Sequence, residues 1–520
     1  MHSTEDDGRS STNHSHRGRR RPPSHLKRDV GGTTGQASWI SSVVNLLNTI
    51  LGAGVLAMPL AMSHMGILLG TIVILWAGLT ASFGLYLQTR CAQYLERGSA
   101  SFFALSQLTY PNAAVVFDAA IAIKCFGVGV SYLIIIGDLM PGVVRGFTGA
   151  EDLAPFLVDR HFWVTAFMLI VIPLSFLRRL DSLKYTSVIA LISIGYLVIL
   201  VVYHFCAGDT VQQDRTPIRV IRWAGPIPAL SSFPVIVFAY TCHQNMFSIL
   251  NEIGNNSHSR TSSVAVVSDG IAAAIYVLVA ITGYLSFGND IGGNIVAQYL
   301  PSVSATIGRA AIVVLVLFSY PLQVHPCRAS VDAVLKWRPK SLLRSSGPSS
   351  LESSPPRSTP LLPTGRKRND DSLSETRFAA ITTAIIILSF TVAMTVNSLE
   401  AVLAYVGSTG STSISFILPG LFYYKISSPD SALHQRLLKE EDDYDADIED
   451  NHSDAAAAGE ERDGLLSGSG ILSSSMIVLR NNTKAFRRKL LRRLSLALAI
   501  YGLLVMVVCL ITNTFFIVAH

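Results

Sequence analysis

Apolar runs long enough to cross a bilayer alternate along this chain with short polar or charged interruptions. One crossing needs roughly 20 apolar residues. Eleven such runs are bounded by charge or turn residues, at about 39–62, 66–89, 113–140, 161–177, 183–205, 228–250, 264–286, 304–326, 377–397, 400–424 and 494–518. Two of them are not uniform. The first carries Asn48, Thr49, Gly52, Ala53, Gly54 and Pro59 around its middle, in a stretch from Ser38 to Thr89 without one Asp, Glu, Lys or Arg. Glycine and proline at membrane depth require that the freed backbone groups find protein, water or ligand. The sixth carries Thr241-Cys242-His243-Gln244-Asn245, too polar to face lipid. Both runs are therefore predicted to be interrupted helices. Close helix packing is the competing reading of Gly52 and Gly54.

The two interruptions lie five runs apart, in segments of opposite direction. That arrangement predicts a five-plus-five inverted repeat, with a site between the broken helices at the bilayer midplane. The fold class expected is all-α integral membrane, with eleven transmembrane helices.

Composition sharpens this. The chain is 50% hydrophobic and 15% charged, whereas a soluble domain carries about 25% charged residues. Mean hydropathy is +0.42. The net charge of +6 comes from basic residues beside the runs, with no nucleic-acid-binding motif among them. With the N-terminus cytosolic, 34 of the 41 Lys and Arg residues fall on the inner side and 6 on the outer, Lys124 lying within the third run. This is the bias of the positive-inside rule. The C-terminus is then expected on the outer or lumenal side. No apolar run precedes Trp39, so the first span is expected to act as an uncleaved signal.

The domain plan follows. Residues 1–38 form a disordered cytosolic tail, 39–205 the first repeat, 206–227 a lumenal loop, and 228–424 the second repeat with a disordered cytosolic loop at 338–376. Residues 425–493 form a further disordered cytosolic segment, and 494–520 the last span and lumenal end. These tails and loops are too polar to bury a core. Phe486 to Arg493, FRRKLLRR, suits anionic lipid at the cytosolic face.

The candidate chemistry comes from the interruptions. An unwound helix exposes N–H groups and a partial positive charge at the start of its second half, which suits a carboxylate. Gly52, Ala53 and Gly54 leave room for that carboxylate to approach the backbone. The opposing half-helix end presents carbonyls, which suit an ammonium group or a cation. A zwitterionic amino acid fits without any charged side chain. The substrate-binding candidates are Thr49, Gly52, Ala53, Gly54, Cys242, His243, Gln244 and Asn245.

Four segments resemble the amino acid/auxin permease family, in particular fungal vacuolar amino acid transporters and animal sodium-coupled neutral amino acid transporters. They are NLLNTILGAGVLAMPLAMSHMG (45–66), CFGVGVSYLIIIGDLMP (125–141), FAYTCHQNMFSILNEI (238–253) and SYPLQVHPCR (319–328). The resemblance implies a leucine-transporter-like fold and transport coupled to H+ or Na+. It matches Asn48 to an asparagine that helps hold sodium in coupled members. Ser319, two residues before Pro321, is a candidate for their hydroxyl ligand. Leu317 stands where a threonine is often seen, which weakens the sodium reading. Vacuolar members are thought to run on protons.

Proton coupling has its own candidates. His243 and His325 titrate near neutrality, each with the alternative of a neutral, hydrogen-bonded ring. Lys124 can replace a sodium ion as a fixed or titrating cation, or snorkel to the cytosolic face. The six cysteines have no CxxC or metal spacing, so neither zinc nor a disulfide framework is indicated. No nucleotide loop, metal cluster or nucleophile motif is present, and an enzyme is not expected. No cofactor is expected beyond the coupling ion.

Glu461 to Leu466, ERDGLL, has the form of an acidic-dileucine signal read by sorting adaptors. With the resemblance it favours the vacuolar membrane, the alternative being the plasma membrane. The expected function is secondary active transport of amino acids by alternating access. Two alternatives stand beside it: a sodium-coupled plasma-membrane symporter, and an amino acid sensor using the same pocket.

Overall fold

The computed structural model describes residues 35, 37–148, 154–177, 186–210, 217–336, 374–439 and 469–519. In chain order the helices are α1 (Trp39–Ile50), α2 (Gly54–Met65), α3 (Ile67–Ala92), α4 (Phe102–Thr109), α5 (Ala114–Thr148), α6 (Arg160–Ser175), α7 (Thr186–Ala207), α8 (Pro226–Ala239), α9 (His243–Glu252) and α10 (His258–Phe287). They continue as α11 (Ile295–Gln298), α12 (Val303–Lys336), α13 (Glu375–Thr395), α14 (Leu399–Val406), α15 (Leu418–Ile426) and α16 (Ser469–Ala519). Among the described residues, eight helices or continuous helical runs are long and apolar enough to cross a membrane. The bent pair α1–α2 makes a ninth. The other two predicted spans are the 16-residue apolar helix α6 and the interrupted pair α8–α9.

Both predicted interruptions are present. The α1 helix starts at Ser38, whose hydroxyl accepts from the Ser41 N–H, and leaves helical geometry at Leu51. After Gly52 and Ala53 the chain resumes as α2, with its axis turned by 56°. The second interruption spans Tyr240, Thr241 and Cys242, between α8 and α9. Between α14 and α15 the backbone is continuous but widened into π-helical turns, Gly407–Ser411 and Ser413–Ile417. Such turns cluster at functional sites.

Long helices α5 and α12 run against each other, and α10 packs on α1, α2, α3 and α7. The core so formed contains both interruptions. Large apolar side chains such as Leu79 (63% exposed) and Ile192 (67%) look outward, as an all-round apolar helix in lipid requires.

Boundaries depart from the sequence reading in three places. The α5 and α12 helices run well past 140 and 326, to Thr148 and Lys336. A helix occupies 432–439 and α16 begins at Ser469, so the segment predicted as disordered from 425 to 493 is partly helical. The latter carries apolar residues, Ile471 to Leu479, on the far side of the basic stretch, and one continuous helix runs from them through it into the last span. Arg309, counted with the outer charges, is buried, and its guanidinium donates to the carbonyls of Val296 and Tyr299 at the end of α11. The sorting pattern at Glu461–Leu466, the loop at 338–373 and the tail at 1–34 lie outside the described residues.

The segment entering α1 is fastened to the end of α9. Ala37 forms an isolated bridge with Ile253, the Ala37 N–H donating to Glu252 O (2.9 Å) and the Gly254 N–H to Ala37 O (3.0 Å). Trp39 Nε1 donates to Ser263 on α10 at 2.9 Å.

Candidate functional site

The two interruptions face each other. Gly54 opens α2 directly on Ala239, the last residue of α8: a Cβ built on Gly54 would stand 2.5 Å from Ala239 Cβ. Gly52 has more room, the nearest atom to its notional Cβ being the Tyr132 hydroxyl on α5 at 3.8 Å. So the two glycines do different work. Gly54 permits close helix contact, which the packing reading anticipated, and Gly52 leaves open backbone beside a phenol.

A direct link crosses between the pairs: Asn245 Nδ2 on α9 donates to Thr49 Oγ1 on α1 at 2.8 Å. A second comes from α10. The buried Tyr276 hydroxyl lies 2.6 Å from Ile50 O and 2.9 Å from Ala239 O. These are the last carbonyls of α1 and α8, so one phenol ties both half-helix ends. Tyr240 stands edge-on to the same ring, with centroids 5.1 Å apart.

At the opposite half-helix ends the donors are free. Among the described residues, no hydrogen bond is made by the N–H groups of Ala53 and Gly54 at the start of α2, nor by those of Cys242, His243 and Gln244 at the start of α9. Gln244 has both amide atoms buried without a hydrogen-bonding group. Unpaired buried polar groups cost free energy until something satisfies them.

His243 is fully buried, and its Nε2 lies 3.2 Å from Ala81 O on α3. A carbonyl only accepts, so Nε2 carries the hydrogen. Nδ1 is buried and has no hydrogen-bond partner among the described residues. Lys124 does not snorkel. Its side chain is 4% exposed, its Cβ packs against Gly410 in the π-helical run, and it lies within electrostatic reach of Cys242 and His243. Cys242 caps α9 without a side-chain hydrogen bond, while neighbouring Thr241 accepts from Ser415 at 3.1 Å. Ser319 donates to Leu315 O one turn back at 2.7 Å. His325 lies on the exposed side of α12, away from the interruptions.

Sequence reasoning missed three residues here. Tyr132 and Tyr276 are tyrosines in apolar runs and carry no pattern. Asp269 did carry a signal, being the one acid in the run 264–286; it is buried on α10 and accepts from Ser82.

The chain is 45% identical to "Vacuolar amino acid transporter 5" of Schizosaccharomyces pombe over 76% of its own length and 87% of that protein's. It is 42% identical to "Vacuolar amino acid transporter 6" of Saccharomyces cerevisiae, over 75% of its length and 90% of the relative's. Among solved structures it is similar to Mhp1, a nucleobase–cation-symport-1 family transporter in a closed conformation with bromovinylhydantoin bound. The TM-score is 0.50 at 10% identity, covering 93% of this chain and 94% of that one. That likeness shows the fold, which is the leucine-transporter-like one expected from the paired interruptions. Residues 35–441 match the family model described as transmembrane amino acid transporter protein, and the chain belongs to that family.

Proposed function

We propose that this protein moves α-amino acids across the vacuolar membrane by alternating access, driven by protons. The observation that carries the reading is the meeting of two interrupted helices. Unpaired N–H groups open α2 and α9, and carbonyl ends close α1 and α8. A carboxylate suits the former and an ammonium group the latter. Charge complementarity comes from backbone, so no acidic or basic side chain is needed at the substrate itself. Gln244 and the Tyr132 hydroxyl stand beside the open backbone and would complete the polar shell. The substrate class and the membrane also follow from the names of the two fungal relatives.

Coupling by protons is supported by Lys124. A buried ammonium near the second interruption supplies a cation where a sodium-driven protein would recruit one. The His243 ring is then a structural link between α9 and α3. The cytosolic N-terminus and lumenal C-terminus follow from the 34-to-6 distribution of basic residues.

Purified full-length protein in proteoliposomes tests this with a panel of labelled amino acids. Uptake should follow an imposed pH gradient and ignore sodium. Uptake that needs sodium would turn attention to Asn48 and Ser319 as ion ligands. Substrate binding without transport would make the protein a sensor.

A further inference from the structure

Asp269 is an acid in a place where an ionised acid is hard to keep. It is 3% exposed, in the apolar helix α10. Its Oδ2 accepts from the Ser82 hydroxyl of α3 at 2.5 Å, and its Oδ1 accepts from nothing. Among the described residues it forms no ion pair. Of the elements packed on α10, α1 contains no titratable side chain. On α2 there is only His64, which is bonded to Ser232. On α7, Tyr196 donates to Ser304 O and His204 is bonded to Asp209. On α3, Tyr86 and Arg90 are occupied with each other, and Cys91 lies beside Arg90 in the last turn. The titratable groups that interact with Asp269 are Tyr240 and Cys242 at the second interruption and Tyr276 on α10 itself. None is cationic. A buried carboxyl with one hydrogen-bond donor and no counter-charge is held in its neutral form, that is, with a proton bound.

Its position gives that proton leverage. Asp269 and Tyr276 are seven residues apart, two turns along one face of α10. Tyr276 ties Ile50 O to Ala239 O. On the other helix, Ser82 follows Ala81, whose carbonyl holds His243 at the start of α9. Both helices that cradle Asp269 therefore also fasten an interruption. Loss of the proton would leave a bare carboxylate in the core. Hydrating it requires α3 and α10 to separate, which draws Tyr276 and Ala81 away from the broken helices.

We infer that Asp269 is the proton-binding site of the transport cycle, with Ser82 as its positioning residue. The carboxyl takes a proton from the acidic side as the interruptions close, and releases it to the other side as they open. This rests on the proton-coupled reading above.

The test uses full-length protein in proteoliposomes, comparing amino acid counterflow, which needs no net proton movement, with uptake driven by a pH gradient. Asp269→Asn should keep counterflow within about threefold of wild type, and lose gradient-driven accumulation by at least about tenfold together with its pH dependence. Asp269→Asn that still accumulates substrate with the wild-type pH profile overturns the proposal. Wild-type uptake that ignores the gradient overturns the proton reading itself, a distinct outcome. Should Asp269→Asn fail to fold, Ser82→Ala decides. Removing the donor that favours the carboxylate should move the pH midpoint of uptake upward by about one pH unit. An unmoved midpoint overturns the assignment, as does a sodium requirement that disappears in Asp269→Asn.

Discussion

The two interrupted helices break by different means. Between α1 and α2 the chain uses absence: Gly52, Ala53 and Gly54 bring almost no side chain, and the helix axis turns by 56°. Between α8 and α9 it uses presence: Tyr240, Thr241, Cys242 and His243 are all buried, and Tyr240, Thr241 and His243 are each placed against something specific. One side supplies open backbone and the other supplies contacts that fix where that backbone lies. A site of this kind needs both, because backbone that is free to bind must still be held in place by neighbours.

The sharpest way to break the comparison is to add bulk on the bare side. Gly54→Val would drive atoms into Ala239, whose Cα already stands 2.8 Å from the notional Cβ. Since backbone cannot retreat as a flexible side chain can, transport should fall at least about a hundredfold, with overpacking of about 1–3 kcal/mol. Counterflow rate, set against surface or vacuolar abundance of the variant, measures it. Retained transport would show that the two broken helices need not touch.

Tyr276→Phe comes next. It removes the shared donor and leaves the Ala239 carbonyl without its partner, at about 1–3 kcal/mol, while Ile50 O keeps the Gly52 N–H. Transport should drop about tenfold or more while the ring still packs on Tyr240. Thermal unfolding in detergent, with and without substrate, separates loss of stability from loss of binding.

A smaller effect is expected at the link between the helices. Thr49→Val takes away the acceptor for Asn245 at nearly constant volume, for about 1 kcal/mol. The Michaelis constant for uptake should rise about fivefold, with little change in maximal rate. Asn245→Ala should act no more than additively with it, because both variants remove one hydrogen bond.

The least expected effect sharpens the contrast between neighbouring glycines. Gly52→Ala meets nothing closer than 3.8 Å, so it should fold normally and change transport by less than about threefold unless substrate occupies that space. If it abolishes binding while leaving stability intact, the backbone at Gly52 is where the carboxylate lies.

Much of this was legible in the sequence. An apolar run is a strong signal, and glycine or a polar cluster inside one is conspicuous against it; this is why both interruptions are legible. What was not legible depends on which helices meet. Tyr276 looks like any tyrosine in an apolar run until α10 is placed between the two half-helix ends. Tyr132 becomes notable only because α5 passes Gly52. Asp269 was visible as a lone acid, yet its meaning lies in Ser82, far away on another helix. Charge does not mark the ends of α5, α12 and α16, because a helix can continue into water past the edge of the lipid.

The bridge between Ala37 and Ile253 is made of main-chain atoms only. Its strength is therefore indifferent to which side chains occupy those positions, and Ala37→Pro, which lacks the N–H, is the substitution that would unbuckle it. The start of α1 is leashed at that point to the end of an interrupted helix. A spectroscopic label placed at Ala37 itself would ride on that buckle, and would sense the working of the transporter instead of merely marking its location.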